Sequence, residues 1–342
     1  MSGTSLDGLD IVYVNFYQDK YWKYEIINSK TYKYEKKWIN FLKNISNEKV
    51  NSIKKIDKDY TKLLSKYILK FINEFSIKDI DFISSHGHTA LHQPSNSLTY
   101  QIGNLPILAK YINQKVVCDF RVQDVKLGGQ GAPLVPVGEK YLFPEYNTLI
   151  NLGGFANITR KVKDNLIAYD ICPINIVFNH LSRKIKLKYD DLGYIASTGN
   201  INENLYSLLQ RLNYYKQDPP KSLGIEWVND KIHPILKNFQ DTPVKDLMNT
   251  FSNHFAFQIA KNIEEQDQVL ISGGGAYNDY LIEKIKKLTN SKLTIPNPKI
   301  IEYKEALIFA FLGLLRVLEI SNCYSSVTGA KEDHCSGIIY NP

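Results

Sequence analysis

Arginine is scarce in this chain: of 42 basic residues only five are arginine, at 121, 160, 183, 211 and 316. Arginine is the side chain that forks onto phosphate and guanine, so this scatter speaks against a nucleic-acid surface despite a net charge of +7. The lysines are spread along the chain and read as a solvated basic surface. Cysteine is just as sparse. Its four positions, 118, 172, 323 and 335, hold no CxxC pair, so neither a zinc ribbon nor a redox dithiol is suggested. So few cysteines fit a reducing compartment. No basic and apolar leader opens the sequence. The longest apolar run, Ala306 to Leu315, falls well short of the roughly 20 residues that cross a bilayer. The expectation is a cytoplasmic chain with no membrane and no nucleic-acid partner.

What is present is ordinary globular material, 44% hydrophobic and 23% charged. A length of 342 residues implies two domains, because single cores stop growing at roughly 250–300 residues. Short β-rich runs that end in glycine recur: Asp81 to Ser85 before His86-Gly87, Asn147 to Asn151 before Leu152-Gly153-Gly154, and Gln268 to Ser272 before Gly273-Gly274-Gly275. Such runs are buried-strand signals, and a glycine after one lets backbone approach a ligand. Apolar stripes predict helices over 60–75, 246–263 and 280–288, the nearly all-apolar stretch 305–318 predicts a buried helix, and alternation over 11–16 followed by 22–27 predicts a hairpin. Together these imply an α/β fold of mixed sheets with helices on the faces, and ligands at the carboxyl ends of strands.

Several stretches carry chemistry. The segment Met1 to Gly8 is small, polar and glycine-flanked; its backbone N–H groups suit a phosphate, and Asp7 suits Mg²⁺ held through water, against the alternative of a frayed terminus. The triple glycine at 273–275 follows a strand and precedes a helix, an anion-binding device that matches neither Walker A nor GxGxxG. In the loop 119–134, Arg121 suits a carboxylate or phosphate, and Asp119, Asp124 and Gln130 suit sugar hydroxyls. Asp170 ends an apolar strand, where desolvation raises a carboxyl towards the range of a general base; a structural Asp is the alternative. Asp190-Asp191 reads as a solvated turn. His86, His88 and His92 fit no zinc template and read as a hydrogen-bonding loop.

In order along the chain, MSGTSLDGLD (1–10), SHGHT (85–89), QIGN (101–104), DFR (119–121), GGQGAPLVP (128–136), NLGGFANIT (151–159), PKSLG (220–224), SGGGAYN (272–278), EALIFAFL (305–312) and VTGA (327–330) resemble the anhydro-N-acetylmuramic acid kinases. That family belongs to the acetate and sugar kinase, heat-shock chaperone and actin superfamily. The resemblance implies a two-lobed actin-like ATPase fold, each lobe with an RNase H-like sheet. The lobes would be 1–118 with 318–342, and 119–317, with ATP and sugar in the cleft between. It implies ATP as co-substrate with Mg²⁺, phosphorylation of the anhydro-sugar at O6, and coupled opening of the anhydro ring by water, in peptidoglycan recycling. A small-molecule sugar is the implied partner, with a homodimer left open.

Carried over residue by residue, the resemblance puts ATP at Gly3, Thr4, Ser5, Leu6, Asp7, Gly8, Leu9 and Asp10, and at Gly153, Gly154, Gly273, Gly274 and Gly275. Asp170 matches the base that activates water, and Glu305 the glutamate at the sugar. His88, Thr89, Arg121, Gln130 and Asn175 match sugar-binding positions. The chain departs from the family pattern in four places. Asp-x-Gly-Pro-Gly-Asn reads Asp170-Ile-Cys-Pro-Ile-Asn175, Phe-Arg-Arg reads Phe120-Arg121-Val122, and His88 replaces glutamine. The family also has a short strand ahead of MSGTS.

Overall fold

The structure is a computed structural model that describes residues 1–3, 6, 8–163 and 165–342. Its strands are, in chain order, β1 (Gly8–Gln18), β2 (Trp22–Lys33), β3 (Ile83–Ser85), β4 (His88–Gln93), β5 (Leu98–Ile102), β6 (Val116–Cys118), β7 (Thr148–Leu152), β8 (Phe155–Val162), β9 (Asn165–Pro173), β10 (Gln268–Ser272), β11 (Lys292–Thr294) and β12 (Ile338–Tyr340). The chain divides into Met1–Pro144 with Tyr303–Pro342, and Glu145–Glu302. These divisions differ from those expected at 118 and 317, because residues 119–144 and 303–317 are tied into the first unit. Ser336 donates to the Phe120 carbonyl at 2.6 Å, and Lys304 pairs with Glu139 at 2.6 Å.

The first unit holds the β1–β2 hairpin, the pair β4–β5 and the sheet β12-β6-β3. The hairpin is the one read from its alternation, and the stripe at 60–75 lies in a longer helix, Val50–Glu74. The helix Pro298–Val317 contains the apolar run, and its Leu307, Ile308, Leu312 and Leu315 are fully buried. The run is apolar because it is core. A cavity of about 300 Å³ follows two strand edges. Every residue from Leu9 to Tyr17 and from Asp79 to Ser85 lines it, where a cavity under one sheet face would meet alternate residues. At one end Met1 and Asp10 exchange backbone hydrogen bonds of 2.7 and 2.9 Å, and burial pushes the Met1 amine down to about 6.

The second unit is built on a five-stranded sheet in the order β11-β10-β7-β8-β9. β10 pairs parallel with both β7 and β11, while β7, β8 and β9 form an antiparallel meander. The helix Val244–Ala260 buries Phe251 and Phe255 in this core, and the helix Asp279–Lys286 follows the triple glycine. Asp190 is not the solvated residue expected: it is buried, and its carboxylate accepts the N–H groups of Ile195 and Ala196 at 2.8 and 3.0 Å. A short carboxylate can cap a following helical turn, and that use outweighs its affinity for water here.

One buried contact escaped the sequence pattern. Glu139 and Lys304 lie 165 residues apart, each with 3% of its side chain exposed, and form an ion pair. Removing one partner leaves the other charge desolvated. We predict that Lys304→Met destabilises the protein by about 3–5 kcal/mol. Glu139→Leu combined with Lys304→Met should recover most of that in chemical denaturation. Additive losses would show that the pair is not the source.

Candidate active site

The second unit gathers its site residues where β7 and β10 end. The two strands are in parallel register through Ser272 opposite Asn151, so the glycines after each strand are neighbours. Gly153-Gly154 turn the chain from β7 into antiparallel β8, rather than into a helix. The N–H of Asn175 donates to Gly153 O at 3.3 Å, and that of Ile174 to Gly154 O at 2.8 Å. The Asn175 side-chain amide donates to Leu152 O at 3.2 Å. Gly273 has φ +81, and a Cβ there would stand 2.7 Å from Asn151 Oδ1; at Gly275 it would stand 2.7 Å from Leu152 Cβ. Only glycine fits either place. Asn278, which breaks the dinucleotide fingerprint, caps the next helix instead, its side chain accepting Leu281 N–H at 3.0 Å. Thus Gly153, Gly154, Asn175 and Gly273 to Gly275 form one backbone-lined cluster.

Asp170 lies within β9, not at its end. A β-bulge sits beside it: Ala156 faces Cys172 and Asn157 faces Asp170, leaving Ile171 as the extra residue. Bulges re-aim side chains, and they gather near active sites. The Leu223 N–H donates to Asp170 Oδ2 at 2.8 Å, so the segment 220–224 holds the carboxylate. Among the described residues Oδ1 accepts no hydrogen bond. Burial pushes the Asp170 carboxyl above its usual range, against the opposing Leu223 hydrogen bond. The two residues that replace family glycines, Cys172 and Ile174, are wholly buried in the core beneath. Their bulk points inward.

In the first unit the parallel strands β3 and β6 end together, with Ser85 opposite Cys118. Their continuations bring Arg121 to His86: Arg121 Nε donates to His86 Nε2 at 3.0 Å, and Nη1 to Gly131 O at 2.7 Å. The guanidinium also lies over Phe309 at 5.9 Å. Burial pushes it down to about 10, opposed first by the charge of Glu305. Glu305 is exposed on its helix, Gln130 is exposed, and Thr89 is half-buried on β4. Gly8 admits no side chain, since a Cβ would stand 2.6 Å from Tyr32 O; Asp10 accepts the Thr31 hydroxyl at 2.6 Å. Gly3 and Leu6 are described, Leu9 is core, and Thr4, Ser5 and Asp7 lie outside the described residues.

Two expected contacts take another form. Asp124 is 0% exposed, and it accepts Gly131 N–H, the Thr328 hydroxyl and the Cys323 thiol, so no sugar hydroxyl reaches it. His88 is buried, with Nδ1 at 2.9 Å from Ser2 Oγ, which also accepts the Tyr34 hydroxyl at 2.8 Å. The three loop histidines each have their own partner: His86 meets Arg121, His88 meets Ser2 and His92 meets Thr99.

A family model described as anhydro-N-acetylmuramic acid kinase matches residues 1–342. A protein of that name from Bacillus cereus is 32% identical over 374 aligned positions, covering 100% of this chain and 98% of the relative. Another from Sulfurimonas denitrificans is 31% identical, covering 99% and 98%. Among solved structures, the activator of the 2-hydroxyisocaproyl-CoA dehydratase from Clostridium difficile with bound ADPNP is 18% identical. It covers 52% of this chain and 64% of that chain with a TM-score of 0.34, a likeness too slight to carry an argument.

The glycine cluster makes a discriminating prediction. A Cβ at Gly154 or Gly274 meets nothing within 4 Å, whereas at Gly273 it meets Asn151 and Leu152. Gly274→Ala should keep its melting temperature yet bind ATP at least about tenfold more weakly, its methyl standing where a ligand approaches. Gly273→Ala should lose stability as well, by about 1–3 kcal/mol. Unchanged ATP affinity in Gly274→Ala would remove this cluster from the nucleotide site. His88 gives a pH prediction. Burial pushes it from 6.5 down to about 4, so between those values the unfolded chain binds a proton that the folded chain does not. Stability therefore falls as pH drops from about 6.5 to about 4, and His86 and His254 act in the same direction. In melting curves across this window His88→Gln should show a shallower fall; an identical slope would mean that His88 takes up its proton as readily in the folded chain as in the unfolded one.

Proposed function

Because the chain belongs to the anhydro-N-acetylmuramic acid kinase family, we propose that it transfers the γ-phosphoryl group of ATP to O6 of 1,6-anhydro-N-acetylmuramic acid while water opens the anhydro bridge. The product is N-acetylmuramic acid 6-phosphate. The chain is a phosphotransferase of the sugar-kinase kind and uses ATP. No helix among the described residues is long and apolar enough to cross a membrane; a cytoplasmic enzyme of cell-wall recycling is the place that suits this reaction. Its fold in this reading is the two-lobed actin-like ATPase.

The observation that carries the mechanism is Asp170. Its carboxyl is raised by burial and fixed through one oxygen by Leu223 N–H. A general base works best when its pKa approaches the working pH, and it must be held with one oxygen facing the proton it takes. In the proposed step a water oxygen bonds to the anomeric carbon, the bond from that carbon to O6 breaks, and Asp170 takes the water proton. O6 leaves onto the γ-phosphorus, and the bond from that phosphorus to ADP breaks. The phosphoryl group thus takes the place of the acid used by an inverting glycosidase. Phosphoryl transfer needs positioning and charge neutralisation more than a covalent nucleophile. The backbone cluster at Gly153, Gly154 and Gly273 to Gly275 suits the nucleotide, as does the segment Gly3 to Asp10. Mg²⁺ would neutralise the phosphates; Asp7 is its expected water-mediated anchor. In this reading Arg121, with Glu305, Thr89 and Gln130, suits the acidic sugar.

Asp170→Asn should lower turnover by about 10²–10⁴-fold while ATP affinity stays within about threefold. A carboxyl whose pKa is raised by folding costs stability once it ionises, so the same variant should melt no lower than the parent at neutral pH. Product made in ¹⁸O-water should carry the label at the anomeric oxygen. Near-normal turnover in Asp170→Asn would dismiss it as the base. Label absent from the anomeric oxygen would dismiss coupled ring opening.

A further inference from the structure

Asp124, Cys323 and His334 meet in the first unit, behind the loop that carries Arg121 and Gln130. Each offers one ligand atom, and these atoms lie within 4.8 Å of one another. Asp124 and Cys323 are wholly buried and His334 is 6% exposed. Cys323 Sγ stands 3.0 Å from Asp124 Oδ1, and His334 Nε2 stands 3.6 Å from the same oxygen. Cys323 and His334 are locked together by two backbone hydrogen bonds, 3.1 and 3.0 Å.

The histidine supplies the independent observation. Its Nδ1 lies 3.1 Å from Glu332 O. A carbonyl only accepts, so Nδ1 carries the hydrogen, and in the neutral ring Nε2 is then the atom with the free lone pair. Nε2 is buried without a hydrogen-bond partner. It faces a carboxylate oxygen at a distance too long for a hydrogen bond, and that oxygen is itself an acceptor. With the ring neutral, two lone pairs confront each other in a place with no water access, which a cation between them would resolve. Among the described residues no lysine or arginine lies within ion-pair distance of Asp124.

We propose that Asp124, Cys323 and His334 bind one Zn²⁺ ion as a structural site. One oxygen, one sulfur and one imidazole nitrogen are the donors zinc takes. The separations of 3.0 and 3.6 Å suit ligands around one ion with bonds of about 2.0–2.3 Å. Binding replaces the thiol proton: zinc bonds to sulfur and the proton leaves to solvent. One carboxylate and one thiolate then match the two charges of the ion, so the buried site is neutral. The Nδ1–H to Glu332 O contact is the outer bond that fixes a metal-bound histidine. The Thr328 hydroxyl, 2.6 Å from Asp124 Oδ1, borders the fourth position. The ion would fasten the segment 323–334 to the loop that carries Arg121 and Gln130, beside the hydrogen bond from Gln130 N–H to Thr328 O at 2.8 Å.

The test uses the full chain and Zn²⁺ alone, titrated against a chromogenic chelator, with Co²⁺ substitution as a spectroscopic probe. Expected are one zinc per chain and a thiolate-to-cobalt absorption band. Cys323→Ser should lose the band, and both Cys323→Ser and His334→Gln should bind zinc at least tenfold more weakly. Cys335→Ser should keep the band and the affinity. The proposal is overturned if the parent chain takes up no zinc in competition with the chelator, or if Cys323→Ser and His334→Gln bind as tightly as the parent. Circular dichroism of each variant separates lost ligation from lost fold. A variant that is folded but does not bind supports the site. If both unfold without zinc and refold with it, zinc binds elsewhere and the proposal fails.

Discussion

A short parallel pairing in each unit, β3 with β6 and β7 with β10, determines which loops become neighbours at the ends of the strands. Parallel neighbours cannot be joined by a tight turn, so the chain must leave the sheet and return by a long crossover. In exchange, both strands end at the same edge. β3 and β6 end with Ser85 opposite Cys118; β7 and β10 end with Asn151 opposite Ser272. The next few residues of each strand are therefore neighbours in space though far apart in sequence. That is why His86 reaches Arg121, and why a side chain on Gly273 would collide with Asn151. The hairpins and helices between are what a crossover of that length has room to hold.

This constraint explains which features were legible in sequence. A strand buried on both faces is a continuous apolar run, and a backbone that must approach a ligand ends it in glycine, so β7 and β10 were visible with their loops. The helices over 244–260, 279–286 and 298–317 were visible because each buries a stripe. What escaped was every contact whose partner lies far along the chain. Nothing near Glu139 indicates that Lys304 will neutralise it, and nothing near Asp124 indicates that Thr328 and Cys323 will enclose it. Asp124 read as a ligand for sugar because a carboxylate in a glycine-rich loop is usually wet. The structure buries it because Gly131 N–H in its own loop and two donors from a distant segment, Thr328 and Cys323, replace the water. The edges of the two units moved for the same reason: they follow such contacts, not local pattern.

The departures from the family pattern become intelligible by direction. Loss of two glycines beside Asp170 puts larger side chains next to it in sequence. The side chains gained, at Cys172 and Ile174, instead enter the core of the second unit, both wholly buried. Asp170 keeps its place because the bulge and Leu223 N–H hold it, not because its neighbours are small. Similarly, His88 lies against Ser2 and beside the buried ring of Tyr60, at 6.3 Å between centroids. It meets Ser2, beside the segment expected to hold phosphate, through a buried hydrogen bond, a route that glutamine shares.

Desolvation shifts one candidate group in each unit, with opposite sign. Burial raises the carboxyl of Asp170, which makes it a readier acceptor of a proton. Burial also depresses Arg121, whose two hydrogen bonds go to neutral acceptors, His86 Nε2 and Gly131 O. These bonds fix the plane of the guanidinium without neutralising it; Glu305 opposes the depression from a distance. The cost of removing this cation from water is already included in the folded state. An incoming carboxylate therefore meets a guanidinium that is oriented and partly dehydrated, and the attraction between them is stronger than between solvated ions. With only one arginine in this segment, such preparation would let a lysine-rich, arginine-poor chain hold the acidic sugar proposed for it.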